Sequence, residues 1–193
     1  MLTADPGFRA LSLSLSLTLF RFDAPAALRA GRIVVDLLTD VAPKTCENFR
    51  CLCTGERGLG KSSKKPLHYK GTRFHRVVSG FVMQGGDVVR NDGSGGDSIY
   101  GGKFKDERAG LRVAHGGRGA VAMANSGKNS NTSQFYVTLS DGSGKRLDGA
   151  HVVFGRVMEG LEVVKEVERR AGSAADGDGT PREAVVIADC GEI

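Results

Sequence analysis

The stretch from Phe74 to Asp87, Phe-His-Arg-Val-Val-Ser-Gly-Phe-Val-Met-Gln-Gly-Gly-Asp, constrains the fold more than any other part of the chain. Phe74, Val77, Val78, Phe81, Val82 and Met83 supply two short strands, and Ser79-Gly80 between them reads as a tight turn. Arg76 and Gln84 interrupt this apolar run. Both are hydrogen-bonding groups that are costly to bury unpaired, so their register with Phe81 asks for a purpose beyond core packing.

Short strands of the same kind recur over residues 119–124, 134–139, 152–158 and 184–189, each rich in Val, Ala and Phe and bounded by Gly, Ser or Asp. Ile33 to Leu38 reads as another strand. Leu11 to Leu19 alternates strictly with Ser and Thr, a period of two that predicts a half-buried strand lengthening the first strand of the fold. Only two helices are predicted. Pro43 opens the first, Cys46, Phe49, Leu52 and Cys53 mark its inward face, and Gly55 stops it; Gly160 to Arg170 carries Leu161, Val164 and Val167 on one face. Many short strands with two helices predict a mainly β chain closed into an antiparallel barrel.

A chain of 193 residues favours one domain and can bury a core without disulfides or metals. The excess of 27 Lys and Arg over 22 Asp and Glu reads as a solvated surface, because no nucleic-acid reading module accompanies it. No membrane span is predicted, since a crossing helix needs about 20 mostly apolar residues and every second position of the leucine run is a hydroxyl. Asp5 ahead of Arg9 and the interrupted run argue against a signal peptide. Arg9, Arg21, Arg29 and Arg32 with many Ser suit a mitochondrial presequence, Asp5 and Asp23 oppose it, and the cytoplasm is the default compartment. Cys46, Cys51, Cys53 and Cys190 lack the paired spacing of a structural zinc site and read as reduced, mostly buried thiols. Lys61 to Lys70 reads as a basic surface insertion, and the glycines between Gly93 and Gly102 as a turn-rich loop without a phosphate-cradling context. His68 and His115 read as solvated or turn residues, and His75 is placed away from Arg76.

The central stretch resembles the signature of the cyclophilins, peptidyl-prolyl cis/trans isomerases. Met-Ala-Asn-Ser-Gly at 123–127, Asn-Ser-Asn-Thr-Ser-Gln-Phe-Tyr at 129–136, Leu-Asp-Gly-Ala-His-Val-Val-Phe-Gly at 147–155 and Ile-Ala-Asp-Cys-Gly at 187–191 resemble that family in its order. The resemblance covers residues 17–193 and leaves 1–16 as an extension, part of it available to the first strand. It implies an eight-stranded barrel with a helix over each end, no cofactor, no metal, and proline-containing peptides and client proteins as partners.

The resemblance also assigns roles. Arg76 is the catalytic cation, and Phe81, Met123, Tyr136 and Leu147 line an apolar cup for the prolyl ring, with Met123 left open between cup and core; Val82, a further substrate-binding position, stands where many members have a methionine. Gln84, the backbone at Asn125, Gln134 and His151 hold substrate carbonyls, while Gly93 and Ala124 leave room for the residue preceding proline. Members with a basic insertion like residues 61–70 pair cysteines resembling Cys53 and Cys190 in a redox switch that involves a loop glutamate, whose position resembles Gly102 here. Tyr136 stands where a phenylalanine is usual, adding a hydroxyl that needs a partner, and Arg146 stands where many members have a tryptophan on the rim. The chain contains no tryptophan, which predicts weak cyclosporin binding by a monomer with isomerase activity retained. The alternative is a proline-peptide binding module with little turnover.

Overall fold

The computed structural model describes residues 13–21, 29–173 and 177–193. The start of the leucine alternation at Leu11 and most of the N-terminal extension lie outside these residues. Eight strands form one antiparallel sheet: β1 (Leu13–Arg21), β2 (Arg29–Leu37), β3 (Arg76–Val78), β4 (Val82–Gly85), β5 (Ala120–Met123), β6 (Phe135–Thr138), β7 (Val153–Glu159) and β8 (Val185–Glu192), in the order β3-β4-β6-β5-β7-β2-β1-β8. β1 is paired on both edges, with β2 and with β8. The ends of this order, β3 and β8, do not pair as strands. Instead the segment before β3 meets β8 through one bridge, Arg73 with Val186, and through backbone bonds such as Phe74 N–H to Val185 O at 2.9 Å and Ile187 N–H to Thr72 O at 2.9 Å. The closed strand ladder expected from the sequence is therefore not what the strands form, because β3 has only three residues and ends its ladder at Arg76.

Among the described residues three α-helices stand where two were expected: α1 (Pro43–Thr54), α2 (Arg108–Arg112) and α3 (Leu161–Ala171). The single turn of α2 is too short to show a periodicity, and it holds a glycine, Gly110, because a Cβ there would lie 2.6 Å from Val152. Among the described residues no helix is long and apolar enough to cross a membrane. α1 starts at Pro43, whose missing N–H costs nothing at that position. The neighbouring orphan donors at Lys44 and Thr45 are satisfied by Glu107, at 3.0 and 2.8 Å, from 63 and 62 residues away. Gly55 closes the helix in the left-handed conformation.

Alternation along the strands sends one set of side chains inward. Ile33, Val35, Val77, Met83, Val121, Phe135, Val137 and Phe154 belong to the main core, which α1 enters with Phe49. The Phe49 ring lies 5.0 Å from Phe135, 5.0 Å from Phe154 and 5.3 Å from Tyr69, spacings at which aromatic pairs are attractive beyond their buried area. α3 covers β2 with Val163, Val164 and Val167. Its entry residue, Gly160, has φ +87, and a Cβ there would sit 2.2 Å from Arg32 O. Gly160→Ala is expected to cost at least about 2 kcal/mol of stability, the sum of left-handed strain and a contact with unyielding backbone, read as the shift in urea midpoint; an unchanged midpoint would show that α3 is not held to β2 at this point.

Candidate active site

The opposite face of the same strands carries the candidate site residues. Arg76 is paired with Gln84 across β3 and β4, Gln84 with Tyr136 across β4 and β6, and Tyr136 with Ala122 across β6 and β5, so these four residues form one line on one face. Side chains alternate along each strand, which explains how two polar residues fit a greasy stretch: Arg76 and Gln84 are half-buried on the outer face while Val77 and Met83 point into the core. The turn between them, Ser79-Gly80, has φ +72 at Gly80, whose N–H donates to Glu168 of α3 at 2.7 Å.

Beside this line lies a second apolar cluster of Val82, Ala122, Ala124, Tyr136 and Val153, with Phe81, Leu147, Val113 and Leu38 packed against it. Phe81, Tyr136 and Leu147 of the expected cup are thus brought together, with Val82 beside them. Met123 is not. It sits in the main core, fully buried, because it is one residue out of phase with Ala122 and Ala124 on the strand. The guanidinium of Arg76 lies 5.8 Å from the Phe81 ring centre, at the edge of the cluster. Gly179 packs on the Arg76 stem; a Cβ there would lie 2.6 Å from Arg76 Cγ, so this glycine sets where the cation stands. Sequence reasoning missed it, the only signal being glycines and Asp between strands.

Gln84 Nε2 donates to Gln134 Oε1 at 2.9 Å, and Gln134 Nε2 donates to the carbonyls of Gly93 and Gly95 at 2.9 and 2.6 Å. Gln134 is therefore a strut between the sheet and the glycine loop. The loop itself is gathered by Asp87, fully buried, whose carboxylate accepts backbone N–H bonds from Val89, Arg90, Asp92, Gly93 and Gly95. Burial alone raises a carboxyl pKa, yet these donors hold Asp87 below its ordinary range. Gly93 has φ +92, and a Cβ there would strike the His75 ring at 2.5 Å. A cavity of about 470 Å³ opens beyond Gln84, lined by Gly93, Ala124, Asn125, Lys103 and Gln134. Asn125 Nδ2 donates to Ala150 O at 2.9 Å, and His151 Nδ1 donates to Met123 O at 2.9 Å, which leaves His151 Nε2 as its other ring nitrogen.

The extra hydroxyl of Tyr136 finds its partner in His115, 2.6 Å away, and His115 Nδ1 lies 2.6 Å from Asp148 Oδ1. An ionised Asp148 only accepts, so Nδ1 carries the hydrogen and Nε2 accepts from Tyr136. His115 was expected as a solvated or turn residue; it is fully buried and stacked on Tyr136 at an interplanar angle of 9°. The added hydroxyl was the signal that could have found it.

Cys53 and Cys190 are free thiols; burial pushes Cys53 up, and its interaction with Cys53 holds Cys190 down. The carboxylate that grips the basic insertion is Asp97, which accepts Ser63 N–H at 2.8 Å and Gly102 N–H at 2.6 Å, so position 102 supplies a backbone donor where an acid was sought. Cys51 lies with Glu47 and Glu56, but the guanidiniums of Arg50 and Arg57 each sit 3.3 Å from its sulfur and supply the positive charge there.

One face of the sheet thus carries an apolar cluster with the Arg76 guanidinium at its edge and the side-chain amides of Gln84 and Gln134 beside it. The chain belongs to the cyclophilin-type peptidyl-prolyl cis-trans isomerase family, whose model matches residues 23–192. It is 54% identical over 165 residues, 86% of this chain and 70% of the relative's length, to a protein of Arabidopsis thaliana named peptidyl-prolyl cis-trans isomerase CYP21-1. The chain is accordingly a peptidyl-prolyl cis-trans isomerase, acting on proline-containing peptides and proteins.

Burial lowers the pKa of His115, outweighing the raising effect of Asp148, and burial likewise lowers His75. Both residues fold in the neutral form, so the unfolded chain binds more protons, and the stability they confer is present above about pH 6.5 and lost as pH falls below it. The urea midpoint is expected to drop between pH 7 and 5, and His115→Gln to flatten part of that slope; an unaltered slope would show that His115 does not titrate as an occupied hydrogen-bond bridge.

Proposed function

We propose that the enzyme turns an Xaa-Pro bond by seating the prolyl ring on Phe81, Val82, Tyr136 and Leu147 and setting the Arg76 guanidinium beside the imide nitrogen. The observation that carries this reading is the line Arg76, Gln84, Tyr136, which puts a cation, an amide and an aromatic floor side by side on one face. A peptide bond is planar by resonance, and rotation faces a barrier of roughly 18–20 kcal/mol. In the twisted state the resonance is lost and the nitrogen lone pair becomes a hydrogen-bond acceptor. A cation held at that nitrogen therefore stabilises the twisted state more than either planar one, and no covalent step is required. Arg suits the role because it cannot deprotonate and its donors form a rigid fork.

Gln84, the backbone at Asn125 and His151 are assigned to the substrate carbonyls, Gln134 to keeping Gln84 in place, and Ala124 to the wall near the preceding residue. A monomer is proposed, working in the cytoplasm, with the sheet rolled into a barrel that the bonds between segment 71–74 and β8 draw shut. A second reading concerns regulation: the contact between Cys53 and Cys190 supports a disulfide formed when an external oxidant takes two electrons and two protons from the pair.

Arg76→Ala is expected to lower kcat/KM on a short Xaa-Pro peptide by about 10²–10³, with circular dichroism and melting temperature unchanged. Unaltered turnover would refute the mechanism, and loss of folding would make Arg76 structural. Cyclosporin should bind weakly, because an exposed arginine stem at 146 does not reproduce a flat indole with its N–H. Arg146→Trp is expected to strengthen binding more than about tenfold, the worth of an aromatic anchor; tight binding by the unmodified chain would show that other residues build the rim.

A further inference from the structure

The rim of the cup carries more positive charge than the reaction needs. Arg76 and Arg146 both lay guanidiniums against the Phe81 ring, 5.8 and 5.5 Å from its centre, and Lys145 is exposed next to Arg146. Among the described residues no ion pair includes Arg76, Lys145 or Arg146. Among the described residues the carboxylates close by in the chain direct their hydrogen bonds away from the two guanidiniums, Asp148 to His115, Asp141 to the Arg118 N–H and Asp178 to Thr180, and Asp148 also feels the charge of Lys145. Two like charges thus share one aromatic ring, and among the described residues neither is held in an ion pair. Guanidinium groups in that state are matched by carboxylate or phosphate oxygens, which they bind as a fork.

The position of this charge along the site has a direction. Gln84, near one end of β4, borders the cavity that also reaches Gly93 and Ala124, whereas Phe81 precedes the other end of the strand and meets Arg146. With the residue before proline directed to the cavity, the chain after proline runs out past Phe81 and Arg146. We propose that Arg146 is a specificity-determining residue, which makes the enzyme favour prolines followed within one or two residues by an anionic side chain, a carboxylate or a phosphorylated hydroxyl. The inference rests on the assignment of the cup to the prolyl ring made above. It gives the rim arginine a role of its own: the position that weakens the grip on an apolar cyclic peptide strengthens the grip on acidic clients.

The test uses the full chain and four peptides that differ only in the residue after Ala-Pro: Gln, Glu, phosphoserine and Lys. Isomerisation is followed by NMR exchange, without a coupling protease whose own preferences would enter. The Glu to Gln ratio of kcat/KM is expected to be about threefold and the phosphoserine to Gln ratio about tenfold, the Lys peptide falling below Gln, with all ratios shrinking toward one in added salt. A phosphoserine arm that rises while the Glu arm does not narrows the preference to phosphate. In Arg146→Gln the ratios, each taken within that variant and so independent of its overall rate, should collapse to one, and Arg146→Lys should restore part of them. Equal rates on Gln, Glu and phosphoserine peptides by the unmodified chain, or ratios that survive in Arg146→Gln, would overturn the inference while leaving the isomerase itself standing. Failure to turn over the Gln peptide at all would instead overturn the assignment of the cup, and this inference with it.

Discussion

Because Arg76, Gln84, Tyr136 and Ala122 occupy successive positions on a line across four strands, the register of those strands decides what the molecule can do. A slip of one residue would exchange Arg76 and Gln84 for Val77 and Met83, placing a guanidinium in the core and a methionine in the cup. The core prevents it. Met83, Val77, Val121 and Phe135 are buried on the inner face with Phe49 of α1 packed among the aromatic rings, so each strand is held in phase by the apolar residues that alternate with the functional ones. Packing on one face of the sheet thereby fixes chemistry on the other.

Hydrogen bonds then aim what the register has placed. Asp87 collects the backbone donors of the glycine loop, and that loop offers its carbonyls to Gln134, which in turn holds Gln84. Behind the cup, Asp148 and His115 hold the Tyr136 hydroxyl, so a group that would be costly to leave unpaired in an apolar floor keeps the ring in one orientation. Gly179 acts in the same sense by its lack of a side chain, giving the Arg76 stem a surface to lie on.

What could be read from the sequence is what local chemistry punctuates. Pro43 and Gly55 bracket α1 because each has its conformational preference at that helix position, and Ser79-Gly80 separates β3 from β4 for the same kind of reason. Period-two alternation placed β1 along much of the leucine run, and Arg76 and Gln84 stood out as polar letters in an apolar stretch. Long-range partners were not legible. His115 meets Tyr136 and Asp148, 21 and 33 residues away, and Asp97 reaches Ser63 across 34, so neither shows in its own neighbourhood. Met123 fell between two readings because both faces of β5 are buried, Val121 in one cluster and Ala122 in the other, and apolar letters alone do not tell them apart. α2 escaped because a single turn has no period to detect.

The capping of α1 by Glu107 has a consequence for how the chain comes to be folded. The helix has no acidic residue in its first turn and no side-chain cap of its own, and its leading N–H groups wait for a carboxylate that is made about sixty residues later. β1 likewise leaves one edge open until β8, the last strand, arrives to pair with it. During synthesis from the N-terminus, the first half of the molecule therefore emerges with an unfinished helix and an unpaired strand edge, and its stability is delivered by contacts between distant parts of the chain. An enzyme that turns prolyl bonds in other chains thus completes its own sheet only when β8 is available to pair with β1.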